Sequence, residues 1–141
     1  MLSQLDLNIT KSIKASDLLY TEDVYTCEAS ANLHAVTIRM SERNIGCVVV
    51  IENNKPIGIF TERDLLKKVV AHGFPVDKTK ISQVMTPHPV CIHPTTPLNQ
   101  ILSAMRLGKF RHLVVTDENH QVVGIISIKD ILNWVTDRLN S

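Results

Sequence analysis

Apolar and polar residues along this chain fall into a cycle of patterns that runs twice. In the second half, Val90, Cys91 and Ile92 form a short apolar run bracketed by Pro89 and Pro94, which predicts a strand. Leu98, Ile101, Leu102 and Met105 then fall at i, i+3, i+4 and i+7, one face of a helix expected to stop near Gly108. Thr95 or Thr96 is the candidate cap of that helix, with Pro97 in its first turn. Residues 110–115 are rich in β-formers, and 121–126 return as their hairpin partner across a polar turn. A last helix starts at about Ser127 and carries Ile128, Ile131, Leu132, Val135 and Leu139 on one side. The first half repeats the scheme. Ser30 is its candidate cap, and Leu33, Val36 and Met40 make the helix stripe. Residues 47–51 pair with 56–60, and Leu65, Leu66, Val69 and Val70 sit on a closing helix. Each copy reads as short helix, strand, helix, strand, strand, helix.

The repetition extends to residue identity. Residues 57–66 (IGIFTERDLL) return as 123–132 (VGIISIKDIL), shifted by 66. Upstream the shift is 65, aligning Leu33, Met40, Val49 and Val50 with Leu98, Met105, Val114 and Val115. The slip falls where residues 52–55 face the longer stretch 117–121, two turn-like segments that absorb an insertion. Such a repeat is too long for a solenoid unit and too short for a comfortable independent domain. Two copies are therefore expected to pack as one body with pseudo-twofold symmetry, which would create a pair of related clefts. The reading divides the chain into an N-terminal extension (1–15), a first repeat (16–74) and a second repeat (80–138), with a short Gly/Pro-punctuated linker between the repeats.

Composition narrows the function. With 141 residues and 44% hydrophobic content, one good core is expected. A net charge of +1 without a Lys/Arg cluster argues against nucleic acid, and 4% aromatic content argues against a base-stacking platform. Cys27, Cys47 and Cys91 are widely spaced in apolar runs and read as small core residues of a reducing compartment. The N-terminus lacks the pattern of a signal peptide, and no apolar run approaches ~18 residues. A soluble, cytoplasmic protein without a membrane span is expected.

The residues with chemistry to offer recur as Gly-h-h-Ser/Thr-x-x-Asp (h, apolar), where a strand gives way to a helix. Thr61 and Asp64, like Ser127 and Asp130, are three apart. A hydroxyl at the cap and an acidic residue at the third helical position make a capping box, which satisfies open amides and complements the helix dipole. The same pair can face a ligand. A carboxylate accepts from the vicinal hydroxyls of a ribose, and open helix amides favour an anion nearby. Catalytic signatures are missing: there is no Gly-x-Ser-x-Gly elbow, Walker loop or His-Glu-x-x-His. Cys47 and Cys91 sit in strand-like runs where thiols are inert. His34, His72, His88, His93 and His120 read as surface positions without metal-ligand spacing. An enzyme is not expected, and no metal or required cofactor is expected.

The repeat order together with GIFTERD and GIISIKD resembles a tandem pair of cystathionine-β-synthase-type (CBS) domains, the Bateman module, over roughly residues 16–138. The resemblance implies an α/β (α+β) fold of two β-α-β-β-α repeats packed with pseudo-twofold symmetry. It implies clefts that bind an adenosine-containing nucleotide of the AMP, ADP or ATP type, or S-adenosylmethionine. Thr61, Asp64, Ser127 and Asp130 match the family's ribose-binding positions; Val24, Tyr25, Pro89 and Val90 match segments that flank adenine. Arg111 and His112 resemble the basic pair that contacts phosphates in nucleotide-sensing members, a role suited to a planar guanidinium fork. The first repeat has Gly46 and Cys47 there instead, which leaves Arg63 to compensate, with Lys129 its equivalent in the second. Unequal sites are expected. The family also implies a homodimer and an effector protein in trans. The competing reading is a structural dimerisation adaptor whose clefts stay empty.

Overall fold

The computed structural model describes residues 9–19 and 24–140 of the chain. Residues 1–8, the greater part of the expected N-terminal extension, lie outside the described residues. In chain order the first elements are α1 (Ala15–Leu18), β1 (Thr26–Glu28), α2 (Leu33–Arg43), β2 (Cys47–Glu52), β3 (Lys55–Thr61) and α3 (Glu62–Asp64), which runs on as a π-helix, Leu65–Val70. A short 3-10 turn (Ile81–Gln83) precedes β4 (Thr86–Pro87), β5 (Cys91–Ile92), α4 (Leu98–Gly108), β6 (His112–Thr116), β7 (Val122–Ser127) and α5 (Ile128–Leu139). The strands form two sheets, ordered β1-β2-β3-β4 and β5-β6-β7. In both, the first pair is parallel and the hairpin that follows is antiparallel. The fold is mixed α+β, as expected.

Continuous apolar runs become central strands because they are covered on both faces. Val48, Val49 and Val50 are fully buried in β2, and Leu113, Val114 and Val115 nearly so in β6. Both hairpins carry an irregular step at the same place, between Val50 and Ile51 and between Val115 and Thr116. Their turns absorb the one-residue slip. Asn53 and Asn54 both take positive φ (53° and 64°), the tight turn that matches strand twist. The longer loop is held by Asp117, whose Oδ1 accepts from the amides of Asn119 (2.8 Å) and Gln121 (3.0 Å).

The compact units do not coincide with the sequence repeats. One unit comprises residues 24–89; the other comprises residues 90–141 together with the segment before residue 24. Ile13, Ala15 and Leu18 thus pack in the core formed by Leu98, Ile101, Met105 and Leu113, within the second repeat. Their counterparts Ile81 and Val84 pack with Leu33, Val36, Val48 and Phe60 of the first. Leu19 lies against Gly124, and its counterpart Met85 against Gly58, where a Cβ would collide with either side chain. Each repeat therefore completes its core with the segment that leads into the first strand of the other one. The Gly/Pro-punctuated linker between the repeats belongs to the first unit: Val76 O accepts from His34 N (3.0 Å), and Thr79 is buried.

This exchange corrects the helix caps. Asn32, not Ser30, caps α2, its side chain accepting from Ala35 N at 3.2 Å, while Ser30 sits in the preceding turn. Neither Thr95 nor Thr96 caps α4. Pro97 holds the cap position without a side-chain bond, and Thr96 Oγ1 accepts from His93 N at 3.0 Å. The first amide of α4 is satisfied by the chain instead, Leu98 N donating to Ile13 O at 2.7 Å; Leu33 N of α2 donates likewise to Thr79 O at 2.9 Å. Gly108 stays inside α4 and Lys109 takes the left-handed position (φ 58°), because the Phe110 ring fills the space beside Gly108 that a Cβ would need. Phe110 itself lies outside β6.

The closing helices depart from the expected stripes. Leu66 (63%) and Val70 (65%) are exposed while Val69 is buried. On α5 only Ile131 is buried, and Ile128, Leu132, Val135 and Leu139 face outward.

Candidate functional site

Both repeats form the capping box written in their sequence. Thr61 Oγ1 accepts from Asp64 N (3.2 Å) and Asp64 Oδ2 accepts from Thr61 N (3.0 Å). Ser127 Oγ accepts from Asp130 N (3.1 Å) and Asp130 Oδ2 accepts from Ser127 N (2.8 Å). β3 and β7 deliver the hydroxyls, and the helix turn brings each carboxylate back over its own strand end. Beyond this shared frame the two entrances differ.

Asp64 is 8% exposed and saturated. Besides Thr61 N, its Oδ2 receives Thr61 Oγ1 (3.2 Å), and its Oδ1 receives Thr86 Oγ1 (3.0 Å) and Lys68 Nζ (3.2 Å). Lys68 also donates to Thr86 Oγ1 (3.0 Å) and Met85 O (3.2 Å), so one ammonium ties helix, carboxylate and β4 together. Lys68 and Thr86 were not singled out in the sequence. Lys68 was legible as an i,i+4 partner of Asp64, whereas Thr86 is brought by tertiary pairing of β4 with β3.

Asp130 is half-buried and, among the described residues, meets only its own cap. The position equivalent to Lys68 is Trp134, a residue that offers no cation; it packs partly into the core with the Arg138 guanidinium 4.6 Å over its ring. Among the described residues, the second oxygen of Asp130 meets no donor.

Charge at the two entrances differs. Arg111 is exposed, and its carbonyl accepts from Ile128 N, the first amide of α5, at 3.2 Å. Exposed Lys129 lies one residue further on, and half-buried His112 opens β6. In the first repeat the same backbone bond joins Glu62 N to Gly46 O (3.1 Å), but the Glu62 carboxylate folds over Gly46, Oε1 lying 3.1 Å from where a Cβ would stand. An acidic group thus occupies the ground that Arg111 holds in the second repeat. Arg63 is exposed on the same turn.

Of the residues matched to adenine, Tyr25 and Val90 are held against their own cores. Val24 and Pro89 are half-buried. Tyr25 O accepts from Val49 N (3.1 Å), as Val90 O does from Val114 N (3.0 Å). The Tyr25 ring lies beneath the guanidinium groups of Arg39 (5.5 Å) and Arg43 (5.8 Å). Burial raises its hydroxyl pKa, as does Cys27, against the opposing pull of the two arginines. The three cysteines, read as core residues, are half-buried. Burial, with Asp64 nearby, pushes Cys47 up to about 12; burial and then Glu28 push Cys27 up to about 11; burial raises Cys91. His34, His72, His88, His93 and His120 are all exposed. Among the described residues no His, Cys, Asp and Glu groups gather as metal ligands, and no helix is long and apolar enough to cross a membrane.

The CBS domain family model matches this chain twice, at residues 15–71 and 81–137. The chain belongs to the CBS domain family. It is a CBS pair, and relatives of several kinds surround it. A CBS domain-containing protein of Arabidopsis thaliana, CBSCBSPB1, is 40% identical over 93 residues, which is 66% of this chain and 17% of that relative's length. A CBS-domain containing protein of Agrobacterium tumefaciens superimposes with a TM-score of 0.75 at 32% identity, covering 85% of this chain and 96% of that one. A CBS domain protein of Pyrobaculum aerophilum, solved in complex with AMP, gives 0.76 at 25% identity, covering 88% and 99%. The CBS pair thus spans a small part of the plant relative and almost all of the two solved chains.

Proposed function

We propose that this CBS pair is a regulatory, non-catalytic module that binds an adenosine-containing nucleotide of the AMP, ADP or ATP type and passes its ligand state to a partner protein. The observation that carries the reading is the entrance of α5. There a carboxylate with spare acceptor capacity (Asp130) opens a 12-residue helix whose first amide is bonded to the carbonyl of Arg111, a residue with an exposed side chain. A ribose needs an acceptor for its hydroxyls, and a phosphate needs a cation and amide donors. The AMP complex of the Pyrobaculum relative supports the ligand class. Ser127 and Asp130 would take the ribose, and Arg111, His112 and Lys129 the phosphate. Thr61, Asp64 and Arg63 form the weaker counterpart, since Glu62 opposes an anion there.

The apolar residues left outward on α4 and α5, Leu102, Leu107, Leu132 and Leu139 among them, supply a surface on which a second copy would dock. The saturated carboxylate of Asp64 favours a purely structural role for the first repeat, so a dimerisation adaptor is the alternative. A thermal-shift screen against AMP, ADP, ATP and S-adenosylmethionine separates them. At ~100 times its dissociation constant a ligand adds ~2.7 kcal/mol. The sensor reading expects a shift for one adenosyl ligand that is lost in Asp130→Ala; no shift for any of them supports the adaptor.

A further inference from the structure

We infer that Lys68 is a built-in occupant of the first repeat's ribose-acceptor position, which closes that position to ligand and confines nucleoside binding to the second repeat. The inference rests on the reading of Asp64 and Asp130 as ribose acceptors. A carboxylate offers about four lone-pair sites on its two oxygens. Around Asp64 four donors fill them: Thr61 N, Thr61 Oγ1, Thr86 Oγ1 and Lys68 Nζ. A ribose diol arriving there finds no free lone pair. It must displace an ammonium that holds two further acceptors, Thr86 Oγ1 and Met85 O. Around Asp130 the only donor among the described residues is Ser127 N, and the residue four positions later is Trp134, which offers no ammonium. The two motifs share the hydroxyl and the carboxylate; the residue four positions later decides whether the carboxylate is available. Lys68 is therefore a specificity-determining residue that acts through Asp64.

The test uses adenosine, which carries no phosphate for Glu62 to repel, titrated into the isotope-labelled full chain with amide shifts read residue by residue. In the unaltered chain the amides of residues 127–130 shift on titration and those of residues 61–64 do not. In Lys68→Met, a substitution of similar length without a donor, residues 61–64 also shift, with affinity there at least tenfold above the unaltered chain. The gain disappears in Lys68→Met combined with Asp64→Ala. Lys68→Arg, which keeps the cation, shows no gain. The inference is overturned if residues 61–64 stay unmoved in Lys68→Met while its amide spectrum remains dispersed. It is overturned equally if they already shift in the unaltered chain. Absence of shifts at residues 127–130 would refute the assignment of the second repeat alone, because the lock is read from the gain at residues 61–64.

Discussion

Asp64 and Asp130 occupy the same place in the two motifs, yet their removal should cost the fold very different amounts. In Asp130→Ala the loss is a cap: Ser127 N gives up its acceptor, which is worth ~1 kcal/mol. Asp64→Ala loses the same cap. It also loses the bond from Thr86 Oγ1 to a charged, buried acceptor, a contribution of ~1.5 kcal/mol. The ion pair with Lys68 adds only ~0.5 kcal/mol, because that side chain is 38% exposed and returns to water once released. The expected cost of Asp64→Ala is therefore about 3 kcal/mol against about 1 kcal/mol for Asp130→Ala. Urea unfolding followed by far-UV circular dichroism measures the difference, which at a slope of ~2 kcal/mol/M is a midpoint ~1 M lower for Asp64→Ala. Equal midpoints for the two variants, within ~0.2 M at a common slope, would refute the claim that Asp64 is engaged beyond its capping box.

Leu18→Ala, which alters a residue fully buried among core residues of the second repeat, should cost ~3 kcal/mol and lower the melting temperature by ~10 °C. A change within ~2 °C would mean that the leading segment does not complete that core. The thiols should react slowly with Ellman's reagent at pH 8, Cys47 (about 12) having a thiolate fraction roughly a tenth that of Cys27 (about 11). Rapid modification of both in the folded chain would contradict their burial. Both folded pKa values lie above the ordinary 9.0, so the unfolded chain releases these protons first. Stability that is fully present below pH ~9 should then fall as pH rises toward ~12, an effect lost in the Cys27→Ala/Cys47→Ala variant.

Whatever depends on residues close in sequence was legible in the chain. Apolar periodicity placed the helices, the valine runs placed the central strands, and the three-residue spacing of Thr61 with Asp64 and Ser127 with Asp130 wrote both capping boxes. The one-residue slip between repeats fell in a turn, as it had to, since a slip inside a strand would turn its buried side chains outward. The pairing of Asp64 with Lys68 is equally local, an i,i+4 spacing that the chain carries.

Tertiary structure decided the rest. The caps expected from Ser30 and Thr95 or Thr96 were displaced because Leu33 N and Leu98 N find carbonyl partners at Thr79 and Ile13, far away in sequence. The compact units exchange the segments that lead into the first strand of each repeat, and only packing reveals which hydrophobic face such a segment covers. Thr86 reaches Asp64 through strand pairing, and Glu62 covers Gly46 because that glycine leaves the space open. A repeated motif therefore specifies two equal frames, while the side chains that long-range contacts bring to each frame decide whether it can hold a ligand. Spacing along the chain carries no record of them.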